Sequence, residues 1–168
     1  MIQKIGTLGQ AGGPLLMDRI LTNSIVVAIG DSVKTTAGFL ALGTAGARVF
    51  GHVEGIFSTD GFSPVKDGTF RNNIGEAYTV ASNNQTVGMV SARVDIDQNS
   101  LYSAEVSAAL GTTAGSGLAG KTFDLTDEDT LNEASVLETT AQYYSHGPDR
   151  NLTTQLMVNI LESEVFGF

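Results

Sequence analysis

Residues Gly115 to Thr122 read GSGLAGKT and satisfy the phosphate-binding pattern G-x-x-x-x-G-K-[ST] at every fixed position. In that chemistry the backbone N–H groups of a glycine-rich loop converge on phosphate oxygens at a helix N-terminus, and the lysine adds a point charge. A buried strand must deliver the loop and a helix must leave it. Upstream, Tyr102 to Ala109 alternates as YSAEVSAA and then frays through Leu110 to Ala114. Downstream, KTFDLTDEDT offers a strand-like Thr-Phe-Asp-Leu and an acidic run, with no helical stripe. The chain after the loop is short for crossover units of about 30 residues each, and no hydrophobic strand ending in Asp follows to hold magnesium. The overlapping G-x-G-x-x-G of Gly115, Gly117 and Gly120 fails on the same flanks. A surface loop of small residues is the better reading, with nucleotide binding as the alternative.

Other chemistry-bearing residues do not assemble into a site. Asp95, Asp97 and Asn99 begin like a calcium loop, but Ser100 and Val106 stand where that pattern needs Gly and Glu, so a hairpin turn is the simpler reading. Asp124, Asp127, Glu128, Asp129 and Glu133 are acidic enough to attract a cation. A helix N-terminus accounts for them through its dipole, with Thr126 and Asp129 as a capping arrangement before Leu131, Ala134 and Val136. His52 falls inside an expected strand and His146 in an expected turn before Gly147-Pro148. Two histidines so separated make neither a zinc site nor a triad. No G-x-S-x-G elbow is present. Asn84-Gln85-Thr86 and Asn151-Leu152-Thr153 match the glycosylation pattern by chance. No catalytic residue, metal ligand or cofactor is assigned, and a non-enzymatic role is expected.

The composition fits that expectation. Charged residues make up only 16% of 168, cysteine is absent, and 20 residues are glycine. Disulfides and thiolate metal sites are therefore excluded. The net charge of −9, with scattered basic residues, speaks against a nucleic-acid partner. No apolar run of about 18 residues offers a membrane span, and the opening MIQKIGTLGQAGG does not read as a signal peptide.

Two regions follow from the patterning. Residues 1–23 carry apolar side chains, among them Ile5, Leu8, Leu15, Leu16 and Met17, interrupted by glycines and Pro14. They read as an extended arm that lies on a partner or on the protein's own core, and those five residues are the candidate partner-binding set. Residues 24–168 read as one β-rich domain, all-β or mainly β, a small barrel or sandwich with at most one or two short helices. Expected strands run over 24–29, 32–36, 39–42, 48–58, 78–81, 86–96, 101–110 and within 155–166. Gly51 and Gly55 inside the fourth mark a bulge or a close backbone approach. Val26, Val27, Ile29, Val49, Val53, Val90, Val94, Val158 and Ile160 are expected to be largely core-facing or at sheet interfaces.

The stretch GDSVKTTAGFLALGTAGARVFGHVEGI, residues 30–56, resembles the barrel core of tailed-bacteriophage capsid decoration (cement) proteins, with a Gly-Asp turn, a short hairpin and an Ala-Gly turn before a Val-x-Gly-x-Val-like strand. FDLTDEDTLNEAS, QYYSHGPDRN and LMVNILESEVFG are similar in character to phage virion structural proteins. The resemblance implies a non-enzymatic homo-oligomer, a trimer before a dimer, made in the host cytoplasm. It would sit on the exterior of an assembled major-capsid shell, with the major capsid protein as partner and a terminal arm across its subunits. A fibre or tail attachment module is the alternative within the virion.

Overall fold

β-branched runs punctuated by glycine and turn residues favour strands, and strands dominate. The computed structural model describes residues 2–8, 15–58, 77–87, 90–107, 119–132, 142–149 and 154–161. Among them are fourteen strands and one helix of four residues, α1 (Asn84–Val87). The protein is all-β, as its patterning predicts.

Five strands make a strongly curled antiparallel sheet: β2 (Leu16–Ile20), β4 (Ser32–Thr36), β5 (Phe39–Leu42), β6 (Gly51–Ser58) and β8 (Val90–Asp95), in the order β2-β8-β6-β4-β5. The sheet almost closes on itself. Leu21, just past β2, bridges Leu40 in β5, and the Thr22 N–H donates to the Leu40 carbonyl at 2.8 Å. Closure removes edges that would otherwise recruit other chains. Inside lie Leu21, Val27, Ile29, Val33, Leu40, Phe50, Val53, Ile56, Val80, Val90, Ala92, Val94 and Ile96. A two-stranded ribbon, β3 (Val26–Ala28) with β7 (Ala77–Thr79), runs beside the barrel, and Val27 from it joins this core. The register of β6 against β8 slips between Val53 and Gly55, the bulge that the glycines foretold. A Cβ on Gly51 would collide with the Asp95 carbonyl, so the close approach is there as well.

The second sheet has seven strands. β10 (Thr122–Phe123), β13 (Tyr143–Pro148), β14 (Gln155–Ile160), β9 (Ser100–Val106), β12 (Thr130–Leu131) and β11 (Leu125–Asp127) lie in that order. The seventh, β1 (Ile2–Thr7), pairs antiparallel with β9 over Ser100 to Ala104. Glu105 and Val106 continue the same edge of β9 against β12, in parallel. In β14, Leu156, Val158 and Ile160 alternate inward, the pattern of a sheet buried on one face. They meet Ile2, Val49, Tyr102, Ala104, Val106, Phe123, Leu125, Leu131 and Tyr143 in a second core.

Four expectations change. Thr126 to Leu131 forms the β11–β12 hairpin, not a helix; Glu133 to Val136 lie outside the described residues. The Leu131 side chain is buried in the second core, which a strand pairing satisfies and a surface helix would not. His146 belongs to strand β13, not to a turn, because β13 runs on through Gly147 to Pro148 with a register shift at that point. Thr86 and Val87 are helical rather than the start of a strand. Of the nine expected core residues only Val26 faces solvent, since in β3 the alternation turns Val27 inward.

Candidate functional site

The two cores meet along a polar seam. His52 enters from β6 of the barrel, Tyr102 from β9 and Tyr143 from β13 of the second sheet. The imidazole stacks at a tilt on Tyr102, with ring centres 4.1 Å apart, and stands 5.7 Å from the Tyr143 ring. Its Nε2 is 3.2 Å from the Tyr143 hydroxyl, which is also 2.7 Å from the Ser32 hydroxyl of β4. All four side chains are buried. Burial pushes the His52 imidazole down to about 4, outweighing the Gly30 carbonyl and the Asp95 charge, which favour the protonated ring. His52 is thus a neutral core histidine at physiological pH, and burial raises both phenols above their ordinary range.

At the end of the seam the Lys4 ammonium reaches across from β1 to the Asp95 carboxylate at 2.5 Å, and the Ser100 hydroxyl donates to the same oxygen at 2.7 Å. Burial by itself would raise the Asp95 carboxyl. Lys4, Ser100 and the Asp97 N–H together hold it below its usual value. Glu54 shifts the other way, raised by burial and by the charge of Asp95. Asp31, in the turn before β4, is raised to about 7: burial dominates against the Ala28 N–H bond to its carboxylate, and Glu128 and Asp129 add repulsion.

The residues singled out in the sequence end up in separate places. Gly115 to Leu118 lie outside the described residues, while Lys121 and Thr122 feed strand β10 and its antiparallel pairing with β13, where a phosphate loop would feed a helix. The Asp97 carboxylate accepts the Asn99 N–H at 2.9 Å, so DIDQN is the β8–β9 hairpin turn. Asp124 caps the Gly46 N–H with both oxygens at 2.9 Å. Asp129 accepts the Thr130 hydroxyl at 2.7 Å. No group of three His, Asp or Glu among the described residues is placed to hold a metal ion. His146 bonds Asn159 at 2.9 Å across β13 and β14. Asn84 is no glycosylation acceptor, because its amide is enclosed by Leu21 and Val90; Asn151 is outside the described residues.

The segment 1–23 is extended in both described parts, and both are laid into the protein's own sheets. Ile2 and Leu21 are buried in the two cores. Its remaining apolar residues split. Met17 packs against the barrel core. Ile5, Leu8, Leu15 and Leu16 keep 37%, 36%, 49% and 43% of their surface exposed. Ile5 sits at a bulge where β1 shifts register against β9. Backbone bonds draw the others to one corner. The Leu8 N–H donates to Asn99 at 2.7 Å, Leu15 accepts from Ile96 at 2.8 Å, and Leu16 pairs with Asp95. Leu8, Leu15 and Leu16 therefore flank the β8–β9 turn, and Ile5 follows along β1 beside Leu101 and Tyr102 of β9.

The seam was missed in the sequence because its members come from six strands, β1, β4, β6, β8, β9 and β13. The one available signal is positional: His52 and Tyr102 occupy inward places in alternating strands. Among the described residues no helix is long and apolar enough to cross a membrane. Comparison with protein-family models, with curated proteins and with solved structures returns no match.

Proposed function

We propose that this chain is a virion structural protein, a capsid decoration protein that binds the outer surface of an assembled major-capsid shell and stabilises it. The observation that carries the reading is the apolar corner of Ile5, Leu8, Leu15 and Leu16, held on β1 and β2 or at their ends beside the β8–β9 turn. Because these residues are already ordered, burying them against a partner carries little of the backbone cost of about 1–2 kcal/mol per residue that a loose arm would meet. Each fully buried Leu or Ile side chain contributes about 1.5–3 kcal/mol. A protein that binds only the assembled shell raises the free energy needed to open it by mass action. The homo-oligomer and the virion location belong to this same proposal, supported by the resemblance of residues 30–56.

The test is cosedimentation of the full chain with expanded shells of its phage of origin, alongside unassembled capsid subunits. Binding to shells and not to subunits, with a higher shell-disruption temperature, is expected. The double variant Ile5→Ser, Leu16→Ser should bind at least about tenfold more weakly while keeping its fold. Absence of shell binding, or binding unaffected by the double variant, sinks the proposal. Point variants are preferable to truncation, because removing residues 1–23 would also remove Ile2 and Leu21 from the cores.

A further inference from the structure

Two buried polar atoms of the seam, His52 Nδ1 and the Tyr102 hydroxyl, make no hydrogen bond of normal geometry. The Gly30 carbonyl near His52, and the Ser100 and Asp95 side chains near Tyr102, influence them electrostatically without completing one. Both residues line one cavity of about 40 Å³, walled by β1, β6, β9 and the turn before β4. Ile2, Ile29 and Val53 supply its apolar wall, Lys4 and Glu54 its charged one. A buried donor or acceptor without a partner is costly, and here two of them belong to residues that line the same space.

We propose that this cavity is a binding site for internal water, one molecule with room for a second, which completes the hydrogen bonding of His52 and Tyr102. Size comes first. A water needs about 10–15 Å³ of such volume and two to four polar partners, so the cavity accepts water but no organic ligand of ordinary size. Charge comes next. A cation would meet the Lys4 ammonium, and an anion would meet the Glu54 carboxylate in a protein of net charge −9. A neutral occupant meets neither repulsion. Hydrogen-bond capacity decides last. Nε2 of His52 is committed to Tyr143, so Nδ1 is a donor or an acceptor according to the tautomer. Water both donates and accepts, and so serves either tautomer and the phenol together. The bound water then joins β1 to the barrel at the place where the two cores touch.

Full-length protein labelled with nitrogen-15 supplies the test. Cross-peaks from a long-lived water to the Gly30 and Val53 amides are expected in water-selective NMR, and their absence overturns the proposal. Tyr102→Phe gives an independent reading. If water partners the hydroxyl, its removal should lower the folding equilibrium constant about fivefold, the equivalent of one net hydrogen bond of about 1 kcal/mol. If the cavity is dry, removing an unsatisfied hydroxyl should raise the constant, which overturns the proposal. Saturable shifts of the Gly30 and Val53 amides on titration with potassium chloride against sodium sulfate would identify an ion as the occupant and equally refute it. Should the variant fail to fold, the water cross-peaks of the wild type still decide.

Discussion

The barrel mouth and the seam between the cores both bury polar side chains, but they treat them differently. At the mouth, Asn84 is wholly buried and uses both ends of its amide: Nδ2 donates to Leu21 at 2.7 Å and Val90 at 3.0 Å, and Oδ1 accepts the Val90 N–H at 2.8 Å. Gln142 does the same between the sheets. It donates to the Thr44 and Ala47 carbonyls and accepts the Leu125 N–H at 2.9 Å. These amides are clamps, each replacing strand pairing where the ladder runs out. In the seam, the His52–Tyr143–Ser32 chain is bonded on one side only, and His52 Nδ1 and the Tyr102 hydroxyl belong to residues that line a cavity. The difference teaches that a buried polar group whose capacity is filled by backbone acts as structure, whereas one left partly unfilled at a residue lining a cavity leaves room for a small guest.

The sharpest way to break that comparison is Asn84→Ala. The substitution leaves Leu21 and Val90 backbone groups without their side-chain partner inside the barrel closure. At about 1–3 kcal/mol for each group stranded, a loss of about 3 kcal/mol is expected in urea unfolding, with the slope unchanged. A loss under about 1 kcal/mol would mean that the clamp is decorative and the contrast with the seam false. Tyr143→Phe should come next, at about 2 kcal/mol by the same measurement, because Ser32 and His52 Nε2 both lose the hydroxyl. If this variant is instead neutral, the cavity water reaches further along the seam than Tyr102.

The sequence made the barrel legible and the second sheet much less so. Strands β4, β5 and β6 announce themselves because their apolar residues are set off by Gly30-Asp31, Gly38 and Gly43 to Gly46. β10, β11 and β12 hold two or three residues each, too few to show any period, and they exist because β9 and β13 offer them partners. Asp124 to Asp129 mimics a helix start locally, and tertiary pairing overrides it. The candidate partner residues were legible as apolar side chains in a glycine-broken segment. Which of them stay exposed depends on the bulge at Ile5 and the register of β2, neither of which composition reveals.

A pH series sharpens the comparison from its electrostatic side. The Asp31 carboxyl is raised from 3.8 to about 7, so the native state holds this proton more tightly than the unfolded chain. Its contribution is fully present below the unfolded value and is lost as pH rises through 7. His52, lowered from 6.5 to about 4, has the opposite sign: its contribution is present above 6.5 and is lost as pH falls toward 4. Between those limits the two oppose each other and flatten the profile. Asp31→Asn should therefore gain on the order of 1 kcal/mol over wild type at pH 8 and little or nothing at pH 4. Equal effects at both pH values would show that Asp31 is not carrying a displaced proton.

The smallest effect concerns the motif with which the sequence is most suggestive. Lys121 contributes to the fold through its backbone: its carbonyl accepts the Ser145 N–H at 2.8 Å, and Thr122 pairs with Tyr144 in the β10–β13 ladder. Both interactions survive truncation of the side chain, and strand β10, not a helix, follows Lys121, where a phosphate loop needs a helix N-terminus. Lys121→Ala should change stability by no more than about 0.5 kcal/mol and leave shell binding unaltered. Calorimetry with ATP and GTP on the full chain should give no heat of binding in either form. Nucleotide binding by the wild type that disappears in the variant would convert GSGLAGKT from a connector into a site. It would also move the search for function from the apolar corner to the opposite end of β10.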